Sequence, residues 1–456
     1  MALVNANVVD VERGALVARQ TIVVSRGRIV DMGRSGSVRI PRGATRIDIG
    51  GRFVIPGLWD MHVHVGGTSP DVRALAGYYG SLFLAHGVTG VREAGGNANR
   101  LAALDSIGRS QPGIMPRLIF AGEKIGPGPG ESWSADDARS AIEARSRAGA
   151  HYIKLAPDYP VELFEQTLAT CAGARLACVA HVPPADTALW LSAPGRGSFE
   201  HLFNLAEHVS RVPAAASFAA AREYEKPTIG QRVLYKLRLR RRPPDPQLQR
   251  IVVRDTSLDR GFFGRVASSG TWITPTLVLH RQMTRVTELD PASVDTSLAR
   301  NPAAPDTDRG PAQLQAARQT WELWTGLVRA MHAARVRLLA GTDFSGAHVP
   351  GAILHGELAL LQQAGVPPAD VLRMATINPA RYLGAADSLG TVQPGRVADL
   401  VVLRRNPLDD ARNVSEVEMV MTRGRLLRRP ALDSLVQGAR SALVRLHARN
   451  AVPDRR

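Results

Sequence analysis

His62 and His64 stand two residues apart at the end of the apolar run Val54-Ile-Pro-Gly-Leu-Trp-Asp-Met-His-Val-His-Val65. Side chains on a β-strand alternate between faces, so two imidazoles at i and i+2 point the same way and can clasp one divalent ion. Standing alone, such a pair is as readily two packed histidines. Its weight comes from four further polar residues, Lys154, His181, His201 and Asp343, each closing a short apolar segment and leading into turn residues. Six ligand-capable side chains on five strand ends could converge on one mouth.

The elements that must carry them alternate along the chain. From residue 56 to about 389, strand-like segments (Val88–Arg92, Ala150–Leu155, Arg175–His181, Ser198–His201, Thr271–Thr276, Val336–Asp343) alternate with helical ones such as Asp136–Ala148 and Glu162–Cys171. Repeated βα units over this length predict an α/β fold, a (β/α)8 TIM-like barrel with its reactive groups at the strand C-termini. A doubly wound sheet would also alternate, but no Gly-rich dinucleotide turn follows the first strand. Residues 1–55 read instead as short strands punctuated by turns, with Arg26-Gly27 set for a hairpin, and residues 390–428 repeat that character. So few strands bury little alone. The two ends are therefore expected to form one composite β-sandwich domain, with the barrel (56–389) inserted between them. Apolar residues at helical spacing from Leu432 to Leu446 predict a basic C-terminal helix and tail over 429–456, packed on the body or on a second subunit.

Composition narrows the classes of function. The chain has 456 residues, a net charge of +16 and two cysteines. No uninterrupted apolar stretch is long enough to span a membrane. The N-terminus enters a strand at once and lacks the profile of a signal peptide, which predicts a cytoplasmic protein, or an exported one if a signal was removed. Apart from the run Lys236-Leu-Arg-Leu-Arg-Arg-Arg242, the positive charge is dispersed, and no nucleic-acid-binding signature accompanies it. Cys171 and Cys178 make no disulfide framework and read as small apolar positions.

In its motifs the chain resembles the amidohydrolase superfamily, in the branch of imidazolonepropionase-like proteins and prolidase-like (Xaa-Pro dipeptidase-type) metallopeptidases. The matching residues are Pro56-Gly-Leu-Trp-Asp-Met-His-Val-His64, Gly87-Val-Thr-Gly-Val-Arg92, Tyr152-Ile-Lys154, Ala180-His181, Glu200-His201 and Ala340-Gly-Thr-Asp343. Met374-Ala-Thr-Ile-Asn-Pro-Ala380 and Gly390-Thr-Val-Gln-Pro-Gly-Arg-Val-Ala-Asp-Leu400 extend the match. Glu93 departs from the pattern, where relatives commonly carry Asp.

The resemblance implies a binuclear centre of two divalent ions, zinc being the expected metal. His62, His64 and Asp343 would hold one ion and His181 and His201 the other, with Lys154 bridging them as a CO2-derived carbamate. It also implies a metal-bridging hydroxide as attacking group and Asp343 as general base. The expected activity is hydrolysis of a small amide or peptide. Candidate types are a dipeptidase or carboxypeptidase-like reaction and cleavage of N-acyl amino acids, including N-aroyl amides of the ochratoxin type. The alternatives are a cyclic-amide hydrolase or a deaminase, then a lactonase or a non-catalytic relative. A homo-oligomer is expected. His280, after the seventh strand, and Tyr224, in the unmatched segment 207–259, are candidate substrate contacts, and His348 and His355 lie beyond Asp343 on the eighth loop and helix.

Overall fold

The structure is a computed structural model that describes residues 1–67, 69–128, 130–157, 159–182, 197–210, 254–284, 311–344 and 348–450. Tyr224 and the basic run 236–242 lie outside the described residues. Five strands open the chain: β1 (Ala2–Asp10), β2 (Ala15–Ser25), β3 (Arg28–Arg34), β4 (Arg46–Asp48) and β5 (Phe53–Pro56). Eight more follow: β6 (Leu58–Val63), β7 (Val88–Glu93), β8 (Arg117–Phe120), β9 (Tyr152–Lys154), β10 (Ala177–His181), β11 (Ser198–Glu200), β12 (Trp272–Thr274) and β13 (Arg337–Leu338). The last three are β14 (Leu400–Leu403), β15 (Val417–Thr422) and β16 (Arg425–Arg428).

The two chain ends are hydrogen-bonded into one eight-stranded sheet, ordered β16-β15-β14-β5-β1-β2-β3 with β4 beside β1. Its hairpin between β2 and β3 turns at Arg26 and Gly27, both at positive φ (47° and 77°), as a two-residue turn matched to strand twist requires. The join between the ends is the antiparallel pair β5–β14, with Val54 opposite Val402. Where a sandwich of two facing sheets is predicted, the strands are instead consecutive members of one sheet. The reason lies in β5, which pairs with β1 on one edge and β14 on the other and so ties the ends edge to edge. Leu3, Ile22, Ile29, Val54 and Val402 form its buried core.

The eight strands between are parallel to their partners and form two sheets, β6-β7-β8 and β9-β10-β11-β12-β13. The fold is α/β with parallel sheets, as predicted. Among the described residues, however, there is no closed sheet of eight. At each seam a strand residue meets one that lies just beyond the neighbouring strand: Met61 N–H of β6 donates to Ala340 O (2.9 Å), and Ile125 N–H donates to Lys154 O of β9 (2.9 Å). β13 is only two residues long and β8 ends five residues before Ile125, so neither seam carries a continuous ladder.

Helices flank these strands. Ala135–Arg147 begins on a capping box in which the Ser134 hydroxyl accepts from Asp137 N–H and the Asp137 carboxylate accepts from Ser134 N–H. The C-terminal helix, Arg429–Asn450, buries Leu432, Ala439, Ala442 and Leu446 against the segment Ala76–Ala85 of the same chain. Its apolar stripe is thus spent on the body. No described helix is long and apolar enough to cross a membrane. One reading from the sequence is corrected: Cys171, in the helix Phe164–Gly173, is disulfide-bonded to Cys178 on β10. Their Cα atoms lie 6.2 Å apart, within the span a disulfide bridges.

Candidate metal centre

β6 delivers His62 to the ends of the parallel strands, and the chain continues straight to His64. The loop after β13 brings Asp343 back against them. That approach is close: a Cβ at Gly341 would lie 2.9 Å from the His62 nitrogen and 2.5 Å from Thr274 Cγ2, so only glycine fits. Asp60 ties the two segments together. Its carboxylate accepts from the backbone N–H groups of His62 (3.2 Å) and Thr342 (3.1 Å) and from the Thr342 hydroxyl (2.8 Å). Burial raises its pKa to about 7 against those bonds.

Asp343 is the point of convergence. Its Oδ1 lies 3.0 Å from His64 Nε2 and 3.5 Å from His62 Nε2, and its Oδ2 lies 3.6 Å from His201 Nε2. The ligand atoms of His62, His201 and Asp343 fall within 4.8 Å of one another. This trio crosses the division implied by the resemblance, in which His62 and His201 would serve different ions. His181 closes β10 with its ring edge-on to that of His201, centroids 4.9 Å apart. Lys154 is almost wholly buried on β9, and its Nζ has no hydrogen-bond partner among the described residues.

The far nitrogens of the two convergent histidines are already engaged. His62 Nδ1 lies 2.5 Å from Glu200 Oε2. His201 Nδ1 lies 2.7 Å from the hydroxyl oxygen of Thr276, whose own proton is donated to Pro275 O (2.8 Å). A carboxylate and an oxygen that has given up its proton both accept. At His62, whose partner is an ionised carboxylate, this places the hydrogen on Nδ1 and turns the Nε2 lone pair toward Asp343, the form in which histidine ligates a metal; His201 takes the same tautomer when Thr276 gives its proton to Pro275 O.

Glu200 is in turn held by Arg92, which is fully buried. The guanidinium donates to Glu200 Oε1 (2.7 Å), Ser198 Oγ (2.7 Å), Thr274 Oγ1 (3.2 Å) and Met61 O (2.6 Å). It lies between the rings of Tyr152 and Tyr382, at 5.6 and 5.1 Å from their centroids. This one side chain links β6, β11 and β12 beneath the convergent residues.

The electrostatics follow from burial and these partners. Burial lowers His62 to about 4 and His181 to about 3, and it drives His201 well below the ordinary histidine value, so all three are neutral near pH 7. For Asp343 burial acts upward, but His62, the His64 hydrogen bond and Lys154 outweigh it and hold the carboxyl at about 2. Burial lowers Lys154 to about 8, so a larger share of it is the neutral amine than in water. Glu93 is pushed up to about 7 by burial; its Oε1 lies 3.9 Å from His64 Nδ1.

The remaining candidates lie behind this cluster. His280 is fully enclosed, its ring tilted against those of Trp324 and Phe203, and its Nε2 accepts from Leu202 N–H at 3.0 Å. His348 is half-buried, and His355 Nε2 donates to His86 O at 2.8 Å. Asp60, Arg92, Glu200 and Thr276 carry structural roles that the motifs assign to none of them. The signal for one pair was present: Ser198 and Glu200 sit two apart on a strand, so both face the interior with Arg92.

Residues 255–427 match the model of the amidohydrolase family. Over 61 residues the chain is 43% identical to imidazolonepropionase of Thermoplasma acidophilum, a match covering 13% of this chain and 15% of that protein. The matches to curated relatives span between 10% and 17% of those proteins' length. Whole-chain similarity appears at the level of fold. Bottromycin amidohydrolase superposes with a TM-score of 0.70 at 24% identity, covering 97% of this chain and 90% of the other. A Xaa-Pro dipeptidase with bound methionine in its active site superposes at 0.66 and 18% identity, covering 94% and 99%.

Proposed function

We infer, from a chain whose residues 255–427 belong to the amidohydrolase family, that the protein is a metal-dependent hydrolase of C–N bonds in small amides or peptides. The observation that carries this reading is the convergence of two neutral histidines on the Asp343 carboxylate, each with its Nε2 lone pair turned inward by a fixed partner on Nδ1. The donor set of imidazole nitrogens and a carboxylate suits zinc. The eight parallel strands are read as a (β/α)8 barrel (56–389) whose mouth holds the site, inserted in the domain built from the two ends.

His62, His64 and Asp343 would hold one ion and His181 and His201 a second. Lys154 would bridge them after its neutral amine adds CO2, giving a carbamate anion and releasing one proton. Its buried Nζ and lowered pKa support that role, because an unmodified ammonium repels cations and has no hydrogen-bond partner among the described residues. Bound divalent ions supply a water acidified toward neutrality and an electrophile for the substrate carbonyl. Asp343, already ionised and facing three histidines, takes the proton from the attacking water at Oδ and delivers it to the departing nitrogen. Asp60 and Gly341 fix the distance of that carboxylate from His62.

Among acyclic substrates, dipeptides and N-acyl or N-aroyl amino acids are the proposed class. A second reading, ring-opening of a cyclic amide, draws on the local identity to imidazolonepropionase. The deciding experiment is release of free amino acid or ring-opened acid by zinc-loaded protein. The panel would hold dipeptides including Xaa-Pro, N-acyl and N-aroyl amino acids, cyclic amides and lactones, each with a chelated control. Chelator-sensitive release from acyclic amides supports the first reading, and turnover confined to cyclic members supports the second. No turnover with metal bound would overturn both.

A further inference from the structure

Glu357 is a fully buried carboxylate on the helix Ala352–Gln363, outside the convergent cluster. Both of its oxygens are engaged: Oε1 accepts from Leu277 N–H (2.9 Å) and Oε2 from Val278 N–H (2.7 Å). These are the first two residues of the helix Leu277–Thr284, directly after Thr276. Thr276 is a β-branched residue at φ +52°, a conformation that costs about 1–3 kcal/mol and persists only when its surroundings impose it. Its hydroxyl oxygen is the partner of His201 Nδ1, and His201 itself stands at φ +68°. From the same helix, His280 accepts from Leu202 N–H, the residue after His201. The residue before this short helix thus braces His201, the helix itself braces the neighbouring Leu202, and Glu357 pins the start of that helix.

We propose that Glu357 is a remote positioning residue: it holds Thr276 in its strained conformation and so aims His201 Nε2 at the metal site. The inference rests on the reading of His201 as a metal ligand. Replacing Glu357 by Gln keeps the shape but sets an amide NH2 against one of the two backbone N–H donors. The segment from Pro275 to Val278 then relaxes, Thr276 leaves positive φ, and the His201 ring loses its fixed orientation.

The test is zinc affinity, measured by competition with a chromophoric chelator on full-length protein, for Glu357→Gln, Thr276→Val, Thr276→Ser, Leu358→Ala and His201→Ala. Leu358→Ala loosens the same helix through its buried side chain without touching the carboxylate. Glu357→Gln and Thr276→Val are expected to weaken zinc binding about 10–100-fold, the usual effect of losing a partner of a ligating histidine. Thr276→Ser, which keeps the hydroxyl, and Leu358→Ala are expected to bind like wild type, even where Leu358→Ala lowers Tm as much. If Glu357→Gln does not fold, Glu357→Asp, which keeps the carboxyl group but shortens the reach, is expected to weaken zinc in its place. Wild-type affinity in His201→Ala overturns the reading of His201 as a ligand. Weak binding in His201→Ala, with Glu357→Gln or Glu357→Asp no weaker than Leu358→Ala, overturns the positioning role alone.

Discussion

Replacing Arg92 by Met should destabilise the metal-free protein strongly at pH 7 and progressively less as the pH is lowered. Arg92 and Glu200 are both fully buried, and their bond is part of a network in which Glu200 also receives His62 Nδ1. Methionine keeps much of the volume but removes the charge and four hydrogen bonds. Removing one partner of a buried ion pair costs about 3–5 kcal/mol, chiefly because the other charge is left in a medium that cannot solvate it. The sign of the pH dependence follows from Glu200. In the wild type, burial pushes its pKa up but Arg92, then His62, hold it well below 4.5. It is therefore ionised both folded and unfolded between pH 7 and 5 and adds no slope there. Its contribution is lost only as the pH falls below 4.5 toward the depressed folded value. Without Arg92, burial dominates and the folded-state pKa rises above 4.5. A group so raised is most favourable to the fold at low pH. The deficit should therefore shrink by about 1.4 kcal/mol for each pH step of one over which Glu200 is protonated in the folded chain but ionised in the unfolded one. Urea midpoints of chelated protein at pH 7, 6 and 5, at constant m, measure it. The double variant Arg92→Met/Glu200→Gln should lose much less than the two single losses added. A deficit below about 1 kcal/mol at pH 7, or one unchanged between pH 7 and 5, would refute the argument.

Three further outcomes are expected. Asp343→Asn should retain bound metal by elemental analysis while kcat falls about 10²–10⁴-fold, as for loss of a general base; activity within tenfold of wild type would remove Asp343 from that role. Lys154→Ala should lose metal stoichiometry and activity, both partly restored by a short added carboxylate, and full activity without one would dismiss the bridging assignment. The Cys171–Cys178 bond should appear as a linked peptide in an unreduced digest, and its reduction should lower stability by roughly 2–3 kcal/mol from chain entropy alone; two titratable thiols in the denatured, unreduced protein would contradict it.

What the sequence made legible was what local pattern controls. His62 and His64 declare themselves through strand alternation, and Lys154, His181, His201 and Asp343 through their place at the ends of apolar runs. β1–β5 and β14–β16 were visible as turn-punctuated strands, and the C-terminal helix as a stripe of leucines. Pattern does not say which strand edges meet. The join of β5 to β14 makes one sheet where two were expected, and the short β13 leaves the parallel strands in two sheets rather than one closed ring. Nor does it measure through-space distance. Cys171 and Cys178 looked like unrelated apolar positions because one belongs to a helix and the other to the strand after it, and only their packing brings the Cα atoms to 6.2 Å.

The groups that fix histidine tautomers were hidden for a related reason. Glu200 reads as one half of a Glu-His pair, yet alternation turns it away from His201 and toward His62, which is 138 residues away. Thr276 and Glu357 have no motif at all. Their roles exist only where a strained turn, a hydroxyl and a buried carboxylate happen to meet. A ligand must present a particular atom to a metal, so its residue type is constrained and its spacing can be read. A supporting group need only accept one proton from the right direction, and a carboxylate, a hydroxyl or a carbonyl from any part of the chain can do so. Sequence therefore reveals the inner residues of such a site more readily than the partners that aim them. At His62 and His201, where the partners are Glu200 and Thr276, affinity for the proposed metal should be as sensitive to those partners as to the residues the motifs disclose.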